Sequence, residues 1–403
     1  MTEQTASKVP QVRFKGFEGD WEEKTFEQNI TSIQTGTNLL GSVTGKGTPL
    51  LKMGNIQRGY FSLDRLEALD ARAKVEAENI AYYGDFLFNT RNTLDLVGKG
   101  ATWMGESGKF AFNSNLARFK FRGIDTIFFN YLYNTQSLVF QVKARAMGTT
   151  SVAAIYPQSL NSLEYKLPTS AEQTKIGGYF RELDSLIGLH QRKHDKLVTL
   201  KKAMLQKMFP QPGGATPEIR FKGFSGAWME NEFKLIASRS TQSTSEEHLP
   251  RIEYEDIISG TGRLNKDIFK KSSRKVGIKF EKGDVLFGKL RPYLRNWWLA
   301  EFDGIAVGDF WVLKSATATS DLIYCLIQTE AFERIANQSA GSKMPRSDWK
   351  LVSNSVFRIP LHIEEQQKIG TYFRTLDELI SQHATQLQKL QQIKSACLEK
   401  MFV

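Results

Sequence analysis

The residues with the clearest chemical capacity are polar and basic side chains in stretches broken by Gly, Asn and Asp. In the first half of the chain these are Lys46, Lys52, Asn55, Arg58, Arg91, Asn92, Lys99, Lys143 and Arg145. In the second half they are Lys289, Arg291, Tyr293, Arg295, Lys343 and Arg346. Arg and Lys suit guanine and phosphate, and Asn suits adenine, so the set is the kind that meets base edges and the backbone of a nucleic acid. Any one of them also reads as a solvated surface charge; it is the set that points to a nucleic acid. Gly148-Thr149-Thr150 and Gly341-Ser342-Lys343 precede equivalent strand-like runs late in each half, which predicts comparable loops there.

Other chemistries are missing from the sequence. A DNA adenine methyltransferase needs an Asp/Asn-Pro-Pro-aromatic loop to hold the flipped base, yet none of the 11 prolines adjoins another. Gly41–Thr48 (GSVTGKGT) has the composition of a phosphate loop but not the G-x-x-x-x-G-K-[ST] spacing. His190 and His194 share a helix face at i, i+4. However, Gln191 stands where a metalloprotease carries Glu, and no further ligands accompany them, so no metal site is expected. Asp348 and Lys350 lack the preceding acidic residues of a nuclease. Cys325 and Cys397 are too few for a disulfide framework or a zinc cluster, which suits a reducing compartment. The expectation is therefore a non-catalytic protein.

Composition agrees with a polyanionic partner. The net charge is +11, and the segment Arg263–Arg295 holds 11 Lys or Arg against Asp267, Glu281 and Asp284, as a phosphate-facing strip requires. Hydrophobic content of 41% with 24% charged residues is that of a globular protein. There is no long uninterrupted apolar stretch and no basic-then-apolar leader, so a cytoplasmic protein without a membrane partner is expected.

The elements that must position these residues are written twice. VRFKGFEGDWEEKTF at Val12–Phe26 recurs as IRFKGFSGAWMENEF at Ile219–Phe233, a shift of 207. Glu172–Pro210 recurs without a gap as Glu365–Val403, a shift of 193. Between these ends the interiors differ but keep a skeleton. Asn55-Ile56 answers to Asp256-Ile257, and Gly84-Asp85-Phe86-Leu87-Phe88 to Gly283-Asp284-Val285-Leu286-Phe287. Short β-like runs (119–121, 285–287, 310–313) and helical runs such as 321–336 predict α+β domains. The Pro- and Gly-rich Phe209–Pro217 reads as the connection between halves. The expected organisation is a first domain at 1–167, a long helix at 168–210, a linker at 211–218, a second domain at 219–360 and a second long helix at 361–403.

Each repeated segment carries a heptad stripe. Ile176, Phe180, Leu183, Ile187, Leu197 and Met204 mark the first copy, and Ile369, Phe373, Leu376, Ile380, Leu390 and Met401 the second, with the polar His190, Lys201, His383 and Lys394 in the same seam. A helix of this length spans about 57 Å, and its stripe demands a partner helix. One solution is a homodimeric coiled coil. The other is antiparallel pairing of the two copies within one chain, which predicts a pseudo-two-fold dumbbell with a domain at each end.

The order just described resembles the specificity subunit of type I restriction-modification enzymes over nearly the whole chain. The marks are Leu167-Pro168 then Glu172-Gln173, and Ile359-Pro360 then Glu365-Gln366, each leading into a long helix, with the N-I/D-I and G-D-x-L-F signatures inside each domain. The resemblance implies two target recognition domains, each reading half of a bipartite, asymmetric double-stranded DNA sequence, held by paired helices that fix the spacer. It implies two methyltransferase subunits that methylate adenine with S-adenosylmethionine, and two restriction subunits, ATP-driven translocase-nucleases that use Mg. It implies no cofactor on this chain itself. Two rival readings stay open: the specificity module of a type II-like methyltransferase-nuclease, and a coiled-coil scaffold that never touches DNA.

Overall fold

The computed structural model describes residues 9–149, 151–265, 267–270, 274–338 and 343–403. Thr150, Gly341 and Ser342 of the two comparable-loop motifs lie outside the described residues. The chain forms two compact units, Met1–Leu189 with Leu387–Val403, and His190–Gln386. The fold is α+β in both.

In the first unit, Glu22–Thr25 pairs antiparallel with Glu164–Leu167, Glu22 opposite Leu167, so both ends of the variable region meet where the first long helix begins. An antiparallel sheet runs in the order Ile30–Thr35, Leu116–Phe121, Phe86–Asn89, Gly100–Thr102. Side chains alternate across a strand. Phe86 and Phe88 therefore meet Phe119, Phe128, Phe129 and Tyr133 on one face, while Leu87 packs with Leu51, Ala101 and Phe112 on the other. Burial on both faces is why Phe86-Leu87-Phe88 reads as an unbroken apolar run. A second sheet (Glu67–Ala68, Pro49–Leu51, Phe110–Phe112, Ile80–Ala81) covers that far face and includes the parallel pair Leu50 and Ala111.

The second unit repeats this plan. Met229–Glu232 pairs with Val356–Ile359, Met229 opposite Ile359. The sheet order is Ala237–Ser240, Phe310–Ser315, Val285–Gly288, Trp297–Leu299. Val285 and Phe287 face the cluster of Trp311, Leu322 and Phe332, and Leu286 faces that of Trp298, Phe280 and Ile252. The covering sheet again has one parallel pair, Arg251 with Ile305. The helical run expected over 321–336 is two helices, Ser320–Leu326 and Glu330–Ala336. The break falls at Thr329, whose hydroxyl donates to Leu326 O (2.7 Å) and accepts from Phe332 N (3.3 Å), capping the second helix.

The long helices are Ser170–Lys207 and Ile363–Lys400, 38 residues each. The early stripe of each is buried in a globular core as well as against a helix. Ile176, Phe180 and Leu183 join the cluster of Trp21 and Phe128, and Ile369, Phe373 and Leu376 join that of Trp228 and Phe332. This differs from a stripe reserved for a partner helix, because the helix is also the floor of its domain. Ile187, Leu197, Met204, Ile380 and Leu390 are half-buried, and Met401 is buried.

In each unit the end of one helix returns antiparallel along the start of the other. In the first unit Lys394 meets Asp184 (2.5 Å), and Cys397 lies 3.6 Å from the Tyr179 hydroxyl. In the second unit Lys201 meets Asp377 (2.6 Å) and Gln328 (2.7 Å), and His190 and His383 share a hydrogen bond between Nδ1 atoms at 2.9 Å. The helices thus pair within the chain, and the seam lysines are each satisfied by an acid from the other copy.

The connection near residue 209 is more closely packed than its prolines suggest. Phe209 is buried against Trp228 and Phe373, as Phe402 lies against Trp21 and Phe180 in the first unit. Ile219 N–H donates to Lys207 O (2.9 Å), and Val12 N–H to Lys400 O (3.0 Å).

Candidate nucleic-acid interface

Both repeated motifs serve one frame. Arg13 of the first RFKGF motif forks onto the buried carboxylate of Glu172, Nε to Oε1 and Nη2 to Oε2 both at 2.7 Å, and its Nη1 donates to Gly19 O. Arg220 does the same with Glu365, at 2.7 and 2.8 Å, and with Gly226 O. The hydrogen bond to Glu172, working against burial, raises the Arg13 pKa above its ordinary value. Gln173 is buried; its Oε1 accepts from Asp125 N (2.9 Å) and its Nε2 donates to Pro168 O (3.0 Å). Gln366 accepts from Thr319 N (2.9 Å) and donates to Pro360 O (2.9 Å). Asp125 and Thr319 cap the helices that pack on the two sheets, so the Glu-Gln pair ties the long helix to the sheet layer in each unit.

On that frame, loops leaving the equivalent strands Phe86–Asn89 and Val285–Gly288 gather part of the expected set. In the first unit Arg91–Asn92 pairs with Ala153–Ala154, and Ile155 N–H donates to Thr90 O. Lys99 sits beside the same strand end through Asn89 N–H to Lys99 O, and its Nζ donates to Gln57 Oε1 (2.6 Å). Burial, and then the charge of Arg58, lower the Lys99 pKa. The Arg58 Nη atoms are themselves buried without an acceptor among the described residues. Arg58, Arg91, Asn92 and Lys99 therefore occupy one group of loops, next to the exposed Met147 and Val152, which sequence reasoning passed over because isolated apolar residues in a loop carry no pattern.

The second unit gathers more of its set. Leu290 bridges to Arg346, Arg291 N–H donates to Pro345 O (2.7 Å) and Ser347 N–H to Lys289 O (2.8 Å), so two loops lie side by side. Lys289 (3.5 Å) and Arg346 (3.1 Å) both reach Asp309. Burial opposes the charge of Asp309, but Arg346 and Lys289 hold its carboxyl below the usual range. Arg295 meets Glu333 at 2.8 Å, and Tyr293 is exposed. Arg291 and Arg295 flank the short turn Pro292–Leu294 in left-handed conformation, with φ of 48° and 57°. Lys343 is exposed on the second loop.

Several expected contacts lie elsewhere or are already engaged. Asn55 is buried, its Oδ1 accepting from Lys52 N (2.9 Å) and its Nδ2 donating to Ser62 O (3.1 Å); it holds a turn and has no amide edge to offer an adenine. Asp256 does the same work, accepting from Glu253 N (2.7 Å), which explains the N-I/D-I signature. The Arg145 guanidinium is spent on the carbonyls of Gln141, Ser159 and Ser162. Lys52 is paired to Glu67 (2.9 Å) beside the covering sheet. Lys46 is exposed on a loop held to that sheet by Gly47 N–H to Leu69 O. Lys143 is exposed at the end of the helix Gln136–Lys143. The basic strip is substantially neutralised, with Lys270 on Asp267, Arg274 on Glu247, Lys275 on Glu253 and Lys279 on Glu246. The sequence shows a local surplus of cations; the fold brings acids from other segments to meet it.

Of the histidines, His190 turns to His383 and His194 to Asp195 (3.1 Å), and among the described residues no group of three or more His, Cys, Asp or Glu could hold a metal. No described helix is long and apolar enough to cross a membrane.

No family model matches the sequence. Over 282 residues, 68% of this chain, it is 23% identical to the putative type I restriction enzyme MjaX specificity subunit of Methanocaldococcus jannaschii, and the match spans 61% of that protein's length. The crystal structure of the type I restriction-modification S subunit from M. genitalium superposes with a TM-score of 0.62 at 18% identity, covering 98% of this chain and 99% of that one. This is the fold of a type I S subunit. The HsdS subunit from Thermoanaerobacter tengcongensis, 14% identical, gives a TM-score of 0.41 over 95% of this chain and 96% of that one. Within this chain the Arg-Glu fork and the Gln tie recur at the same step of each half.

Proposed function

We propose that this chain is the DNA-specificity subunit of a type I restriction-modification system and carries no active site of its own. The observation that carries the reading is the duplication itself: one frame, built twice, presents loops of different composition at the ends of equivalent strands. Arg91, Asn92 and Lys99 serve one half-site, with the buried guanidinium of Arg58 behind them, and Lys289, Arg291, Tyr293, Arg295, Lys343 and Arg346 the other. Two different readers suit a bipartite, asymmetric sequence. The two long helices, each continuous from one unit into the other, set the number of unspecified base pairs between the halves. Methyltransferase and restriction subunits supply the chemistry, and S-adenosylmethionine, ATP and Mg bind to them. The similarity to the M. jannaschii specificity subunit supports this reading.

Sequencing methylated adenines in cells that carry this protein with its methyltransferase tests it. The expected result is one methylated adenine per strand within a two-part motif of fixed internal spacing. Methylation without a motif, or halves at varying separations, would defeat it.

A further inference from the structure

Arg291 differs from every other cation around it. Among the described residues only Arg291 and Arg295 combine a side chain with positive φ. L-residues adopt that conformation at a cost, and it persists only where the surroundings dictate it. Here they do: Arg291 N–H donates to Pro345 O (2.7 Å), Leu294 N–H to Arg291 O (2.8 Å), Leu290 N–H to the Tyr254 hydroxyl (2.9 Å), and Pro292 is buried. The backbone is thus fixed on both sides of a residue whose own side chain is exposed.

Three of the neighbouring cations are committed, Lys289 and Arg346 to Asp309 and Arg295 to Glu333, and Lys343 is a flexible ammonium without a planar fork. The Arg291 guanidinium has no acidic partner among the described residues. A phosphate contact needs only a charge within reach, and a flexible Lys provides it. A base edge needs a planar fork delivered in register. A strained, pinned backbone carrying an uncommitted guanidinium fits the second requirement.

Resting on the proposed function, we infer that Arg291 is the guanine-reading side chain of the second half-site, its guanidinium taking N7 and O6 of one guanine in the major groove. Lys289, Arg295 and Arg346, tied to their acids, hold the loop and meet the backbone.

Selection from a random-sequence duplex pool with the full chain, followed by sequencing, tests this. The wild-type chain is expected to enrich a two-part motif with a guanine at one position favoured by roughly 10- to 100-fold. Arg291→Gly is expected to bring that one position close to parity, and Arg291→Lys, which keeps a donor but loses the planar fork, to weaken the preference, while the other half of the motif is unchanged. Glycine is at ease at this φ, so Arg291→Gly keeps or raises the melting temperature, and a lost preference is not a lost fold. A motif that survives intact in Arg291→Gly, with affinity reduced evenly over all duplexes or not at all, overturns the assignment and leaves the wider function standing. A wild-type chain that enriches no motif overturns both.

Discussion

Arg13 and Glu172 lie 159 residues apart and make the same bidentate pair as Arg220 and Glu365. Only 1% of the Glu172 side chain is exposed, so removing its partner strands a carboxylate away from water. Arg13→Ala is expected to destabilise the first unit by about 3–5 kcal/mol, and adding Glu172→Met to that variant to recover much of the loss. Denaturant melts of the single and double variants measure both; a single variant as stable as wild type would show that the fork contributes nothing. The repetition of both motifs was legible in the sequence, but their being each other's partners was not, because nothing in local pattern joins positions so far apart. Asn55 shows the opposite failure. A loop asparagine next to Lys52 and Arg58 has the composition of a base reader, and only the hydrogen bonds to Lys52 and Ser62 reveal a turn.

At the scale of elements, the long helices were the most legible feature, since a heptad stripe survives whatever the stripe packs against. What the stripe meets was less so, because Ile176 and Phe180 serve a domain core in the same register that would serve a coiled coil. The polar seam positions proved informative. Lys201 and Lys394 find Asp377 and Asp184, and His190 finds His383. Burial, followed by the charges of His190, Lys193 and His194, keeps the His383 pKa below its ordinary 6.5. The unfolded chain therefore takes up this proton first as pH falls below 6.5, and the second unit loses stability over the interval down to the folded pKa. Thermal melts from pH 7.5 to 5 are expected to show that decline in the wild type and a shallower one in the His190→Leu/His383→Leu variant. Equal slopes would remove the pair from the account.

For the whole molecule, the sequence disclosed a tandem duplication, and the duplication disclosed the fold class, because two copies of one frame imply two similar units. The loops that distinguish the units stayed obscure for the same reason: they are where the copies diverge, so neither instructs the other. Charge was misleading at this scale. The cations of Arg263–Arg295 look unopposed along the chain, but folding brings in Glu246, Glu247, Glu253 and Glu333 from other segments.

The hydrogen bond from Val12 to Lys400 repeats the one from Ile219 to Lys207. The segment at Val12 thus docks on the close of the second helix just as the mid-chain segment at Ile219 docks on the close of the first, so the two joints are built alike. Opening the chain at the other joint should cost little. A chain opened between Gly213 and Gly214, with Val403 joined to Val12 through a copy of residues 210–218, is expected to fold with an unchanged circular-dichroism spectrum and to melt within a few degrees of the parent. A permuted chain that cannot fold would mean that the two joints are alike in geometry only.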